Sequence, residues 1–325
     1  MYNRKCKAKI ISLSLALLLV ISTIGGFMSQ SFTAEAADTD IIEISNEDEL
    51  ISFANSCRND SYSFGRKVKL TSDISITKDG FEGIAYFNGT FDGGNHTIRN
   101  LNKEYIGSDY GFFRYLGEDA YVYNLSVSGT ITASGSQKNI GGIAGVNKAG
   151  ARLINCNSDA DISATNQTGG IAGNNQGIIS GCISRSKVNT NELNSSFDIG
   201  GVDVGTLNIT QHVVDRNDMG GIAGYSTGVI SDSTNYGAVG YSHMGYNAGG
   251  IVGNQKGKVY NCTNEGSVYG RKDVGGIVGQ AQPYIESEYL NDRVNKLSES
   301  VDSIGNIMSG LSSSIGDTSA EVSGY

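Results

Sequence analysis

Five aspartates, Asp92, Asp109, Asp203, Asp215 and Asp218, are the side chains in this chain best suited to chemistry. Two carboxylates a few ångströms apart, one held protonated, would cleave a glycosidic bond. Asp92 stands in Asp92-Gly93-Gly94, where a turn accounts for it. Asp198, Asp203 and Asp215 fall with His212 in one stretch, about 190–217, with Asp218 directly after it, and these four aspartates form the candidate binding site. The spacing of Cys156, Cys182 and Cys262 does not resemble a zinc knuckle, so no metal site is expected from them. No Ser/His/Asp order, phosphate loop or calcium nonapeptide is visible. The expectation is a chain without a catalytic site, cofactor or metal of its own.

What must position these residues is a repeat. The phrase Gly-Gly-Ile-Ala/Val-Gly stands at Gly141–Gly145, Gly169–Gly173, Gly220–Gly224, Gly249–Gly253 and Gly275–Gly279. Thirteen residues after Gly169, Gly220 and Gly249 come Cys182, Ser233 and Cys262; the interval after Gly141 is fifteen, ending at Cys156. Three residues before that position lie Leu153, Ile179, Ile230 and Val259, and six after it Ile162, Val188, Val239 and Val268. Gly111-Phe112-Phe113, Val122, Leu125 and Ile131 make a weaker earlier copy. Recurrence at this length marks stacked supersecondary units. It predicts one coil of a three-faced parallel β-helix per repeat, in about five or six coils. Ile143, Ile171, Ile222, Ile251 and Ile277 would form one core ladder, with Cys156, Cys182 and Cys262 in another. The equivalent of these cysteines is Leu125 in one copy and Ser233 in another, which favours buried free thiols; a Cys156–Cys182 bridge is the alternative.

The chain has 325 residues, with Gly 45, Pro 1 and no Trp. Its formal net charge is −9. Arg4, Lys5, Lys7 and Lys9, the apolar run from Ile10 and Ala34-Glu35-Ala36 read as a secretory signal over residues 1–36, cleaved near Ala36. An uncleaved membrane anchor is the alternative. Loss of that basic leader leaves a more acidic chain, a poor partner for nucleic acid. Residues 37–66 read as an N-terminal cap with a short helix from about 46 to 57, Ser45 capping and Asp48 returning to its backbone. Residues 67–280 are the solenoid. The stretch of about 190–217 is either a worn coil around Gly200-Gly201-Val202 or a loop leaving the rod. Over 284–325, Leu290, Val294, Leu297, Val301, Ile304, Met308, Leu311 and Ile315 step by four and three, predicting a helical, coiled-coil segment able to self-associate through residues 290–315. Tyr110, Tyr225, Tyr241, Tyr246, Tyr260 and Tyr269 are candidates for an exposed binding stripe.

The Gly-Gly-Ile-Ala/Val-Gly copies, preceded by Phe87-Asn88-Gly89-Thr90-Phe91-Asp92-Gly93-Gly94-Asn95-His96-Thr97-Ile98-Arg99-Asn100-Leu101, resemble the GLUG-motif repeats of bacterial exported proteins. That resemblance covers about 85–280 and implies an all-β fold, a right-handed parallel β-helix, on the cell surface. Such repeats also occur in the non-catalytic part of the immunoglobulin A protease family. Its His-Glu-x-x-His signature is absent, since His96, His212 and His243 are followed by Thr97, Val213 and Met244. The expected function is therefore a structural or adhesive surface module that binds a protein or a glycan. A polysaccharide-active β-helix enzyme, or the N-terminal part of a larger surface protease, is the alternative.

Overall fold

The computed structural model describes residues 41–78, 80–133, 137–191 and 216–283, together with Val301 and Ile304. The chain winds as a parallel β-solenoid of about seven turns. A coil contains four strands, not the three anticipated. In one coil these are Lys138–Gly141, Ala144–Asn147, Arg152–Ile154 and Asn157–Ser163. Stacked coil on coil, they build four parallel sheets of 5, 7, 8 and 8 strands, here numbered first to fourth in that order.

The extra face comes from the glycine phrase. Gly141 ends a first-sheet strand and Ala144 begins a second-sheet strand, so Gly142-Ile143 is a corner rather than strand interior. Ile143 and Ala144 are both fully buried, so simple in-out alternation fails there. A Cβ on Gly142 would lie 2.2 Å from Ser158 Oγ on the fourth sheet. One on Gly145 would lie 2.7 Å from the backbone of Asp109 and Tyr110. The phrase is thus a waist where backbones meet closely, and only glycine has no side chain to obstruct the approach. The waist leaves two apolar clusters. The larger contains Ile143, Leu153 and Cys156; the smaller contains Val188, Met219, Val239 and Ala248, with Val268 against it.

Equivalent residues stack. Ile143 N–H donates to Ile171 O at 3.0 Å; Ile171, Ile222 and Ile251 donate in turn to Ile222, Ile251 and Ile277, each at 2.9 Å. Four of these isoleucines are fully buried, but Ile277 is 39 % exposed because no coil among the described residues stacks upon it. Leu153 pairs with Ile179, Ile179 with Ile230 and Ile230 with Val259. Burying like on like satisfies the backbone and packs each inner column in one operation.

The lead-in is itself coiled, which is why the turns outnumber the expectation. Ile84–Phe87, Thr90–Asp92 and Thr97–Arg99 pair with the strands of the following coil. Phe87, Phe91 and Phe113 fill its interior, with Phe91 and Phe113 centroids 5.3 Å apart. Ahead of it, Ile42–Ile44 pairs with Lys67–Leu70 and extends the third sheet.

One short α-helix, Glu47–Ser56, buries Leu50, Phe53 and Ala54. Its N-cap is Asn46, one residue later than expected: Asn46 Oδ1 accepts from Glu49 N–H at 3.0 Å. The Glu49 carboxylate accepts from Ser45 N–H at 2.7 Å, a variant of the capping box in which the acid reaches the residue before the cap. Asp48 does not make that return, because the box needs its acid three residues after the cap. Both signals, residues 1–36 and nearly all of 284–325, lie outside the described residues; Val301 and Ile304 are helical.

Candidate binding surface

Asp198, Asp203, Asp215 and His212 lie outside the described residues. The described strands on either side of them pair directly with one another. Asn166 pairs directly with Asn217, Thr168 with Met219 and Ile178 with Val229. The coils that start at Gly169 and Gly220 are therefore direct neighbours in the stack; the worn-coil and loop readings of Gly200-Gly201-Val202 both fall outside the described residues. At the two stems sits Arg216, a buried cation that the sequence reading missed. Its Nη1 donates to Asn189 O at 2.8 Å and Asn191 O at 2.7 Å, and its Nη2 to Ser163 Oγ at 3.2 Å. Burial lowers its pKa. No sequence signal marks it, because its equivalents are Thr165 and Gly245.

The described aspartates are engaged in structure. Asp92 Oδ1 accepts from Gly94 N–H at 2.8 Å. Asp109 accepts from Tyr115 Oη and Asn139 Nδ2. Asp218 accepts from Asn247 Nδ2 at 2.7 Å. Asp109 and Asp218 occupy one column of left-handed residues, at φ 64° and 54°. Asn and Asp tolerate that conformation better than other non-glycine residues, which accounts for their presence there. Tyr115 is pushed up to about 12, by burial first and by Asp109 second.

The thiols occupy their column as free cysteines. Cys156 N–H points at Cys182 Sγ, 3.4 Å away. Burial raises the pKa of Cys182, and that of Cys262 more mildly. Cys262, near the last rung, is only partly buried.

The tyrosine stripe does not form as anticipated. Tyr110 is fully buried against Tyr105, centroids 4.6 Å apart, since its strand turns inward beside Ile140. Tyr225 lies on the second sheet, Tyr246 on the first and Tyr260 on the third, so they share no face. The outward face of the third sheet instead gathers residues that were not linked in sequence. In Tyr121–Tyr123, Arg152–Ile154 and Ile178–Ser180 the middle residue turns inward and the two outer residues outward. Tyr121 and Tyr123 lie with centroids 4.9 Å apart, planes 30° from parallel. Arg152 stacks on Tyr121, and Ile178 on Arg152. Tyr121, Ile178 and Tyr260 are 38 %, 36 % and 50 % exposed. Among the described residues no group of three or more His, Cys, Asp or Glu could hold a metal ion, and no helix is long and apolar enough to cross a membrane.

These features define a GLUG-like repeat solenoid. The model of the GLUG motif matches residues 244–269, and the chain resembles GLUG-repeat proteins. No curated protein matches. Among solved structures, the chain is similar to a putative immunoglobulin A1 protease from Bacteroides ovatus: 20 % identity, 71 % of this chain and 67 % of that chain covered, TM-score 0.47. At that score the likeness says nothing of what this chain does.

Proposed function

We propose that this chain is an exported cell-surface module, structural or adhesive, which presents a repetitive surface to a protein or glycan and performs no catalysis of its own. The isoleucine column from Ile143 to Ile277 carries the reading. Successive coils spend their interiors on stacking like upon like, which leaves recognition to the outer faces. The basic leader and apolar run at residues 4–24 support export. A right-handed winding is expected from the handedness of parallel crossovers. In this reading Glu47–Ser56 closes the first coil, its Phe53 ring 6.2 Å from Phe87. Val301 and Ile304, both 58 % exposed, belong to the heptad through which two copies would associate. The resemblance to surface-protein repeats also accommodates the non-catalytic part of a larger surface protease.

Protease treatment of intact cells is the test. Loss of the chain from intact cells, with a cytoplasmic marker preserved, is the expected result; full protection together with cytoplasmic fractionation would overturn the reading. Turnover of a uronic-acid polymer that disappears in Asp203→Asn, Asp215→Asn or Asp218→Asn would replace it with the enzyme alternative.

A further inference from the structure

We infer that the open face above the last described coil is covered by the chain's own next segment, with Leu290, Val294 and Leu297 laid across it as a cap. The inference goes beyond surface display and does not depend on it. The face is apolar. Val259, Cys262, Val268 and Val278 are half-buried, and Val274 and Ile277 are exposed. One coil earlier, Ile230 beneath Val259 and Ile251 beneath Ile277 are fully buried. The stack stops at Pro283, the chain's only proline. Strand register holds up to it: Ala281 pairs with Gln255, and Gln282 N–H donates to Gln255 O at 2.7 Å. Pro283 therefore takes the position that Gly177, Gly228 and Gly257 hold in earlier coils. Each of those glycines donates its N–H to the coil before at 3.2 Å. A Cβ on Gly228 or Gly257 would lie 2.0 or 1.9 Å from the carbonyl oxygen of the glycine beneath. Ala151, the first member of the column, follows a turn two residues longer. Proline has no N–H to give and carries a Cβ, so it cannot seat a further coil of the same kind on Ile277.

An apolar end of a stacked array must be covered, and a helix also shields the unpaired strand edges there. At the other end of this solenoid the helix Glu47–Ser56 buries Leu50, Phe53 and Ala54, with the Phe53 ring 6.2 Å from Phe87. Leu290, Val294 and Leu297 follow one another at helical steps of four and three. Val301 and Ile304, next in the same series, are helical, and their exposure leaves them to the seam between copies. Leu290 stands seven residues after Pro283. An extended chain of that length spans about 25 Å, enough to cross one coil. A tether that short holds the segment at roughly millimolar effective concentration, so a second copy competes poorly for the face.

Alkylation of the whole native chain with iodoacetamide, read thiol by thiol by peptide mapping, tests this, because Cys262 lies in the covered face. Leu290→Ala combined with Leu297→Ala is expected to speed modification of Cys262 about tenfold. Cys156 and Cys182, buried in earlier coils, should keep their wild-type rates and so report that the stack is intact. Val301→Ala combined with Ile304→Ala should leave all three rates unchanged, and the wild-type rate at Cys262 should not depend on protein concentration. Four results would overturn the inference: no acceleration in the leucine pair, equal acceleration in the Val301 and Ile304 pair, acceleration of all three thiols alike, or protection of Cys262 that weakens on dilution, which would give the face to a second copy.

Discussion

Asn175 sits directly beneath Asn147, its Oδ1 accepting from Asn147 Nδ2 at 2.7 Å, and its own Nδ2 donates onward to Ser226 Oγ at 3.1 Å. All three side chains are fully buried at the corner between the second and third sheets. Leu116 holds the same position one coil earlier, so the column changes from apolar to polar without leaving its register. Asn175→Ala removes the shared partner of the other two. It is expected to cost about 1–3 kcal/mol in urea unfolding, more than exposed Gln176→Ala beside it.

The waist makes a sharp contrast within one motif. A Cβ at Gly142 meets Ser158 Oγ at 2.2 Å and Gly170 O at 2.6 Å, whereas one at Gly276 meets nothing within 4 Å. Gly142→Ala should therefore destabilise by about 1–3 kcal/mol. Gly276→Ala should stay within about 0.5 kcal/mol. Thermal unfolding of the two variants side by side measures the difference.

Buried thiols give the chain an alkaline signature. Burial pushes the Cys57 thiol from 9.0 up to about 12, against a smaller opposing pull from Arg66. Below about pH 9 the thiol is protonated in both folded and unfolded chains, and stability is unaffected. Above it the unfolded chain binds fewer protons, so stability falls by up to about 1.4 kcal/mol per pH unit per thiol until the folded pKa is reached. Denaturant midpoints measured from pH 8 to 11 should show that decline, with a shallower slope in Cys57→Ala. Under native conditions an alkylating reagent should modify partly buried Cys262 before Cys156 and Cys182.

Arg216 holds both stems of the insertion through three donated hydrogen bonds. Arg216→Met leaves two carbonyls and a hydroxyl without that donor. A loss of about 2–3 kcal/mol is expected by chemical denaturation. Arg216→Lys should recover only part of it, because an ammonium cannot reproduce the guanidinium fork.

Asp218→Asn tests the structural role of that carboxylate. Asparagine also tolerates the φ of 54° and its amide can keep the contact to Asn247. The change should alter stability by no more than about 0.5 kcal/mol, whereas Asp218→Val, forced into a left-handed conformation, should cost clearly more in the same assay.

The columns were readable in the sequence because stacking repeats a side chain at a fixed interval. Ile143, Ile171 and Ile222, or Cys156 and Cys182, declare their shared position by spacing alone, and the strand pairing places each above the next. The lead-in coil was obscured because Phe87, Phe91 and Phe113 fill the interior without the glycine phrase. The helix was legible to within one residue, since Asn46 and Glu49 compete with Ser45 and Asp48 for the same capping pattern.

Sequence alone thus determined that this is a stacked β array and which residues share a column, for periodicity is a property of the chain. Only the tertiary structure decided that a coil has four faces, that the coils starting at Gly169 and Gly220 are direct neighbours, and that Tyr121, Arg152 and Tyr260 share an outer surface while Tyr110 is buried. Those outcomes depend on how closely backbones approach at Gly142 and Gly145, a contact between residues distant along the chain that no local spacing encodes.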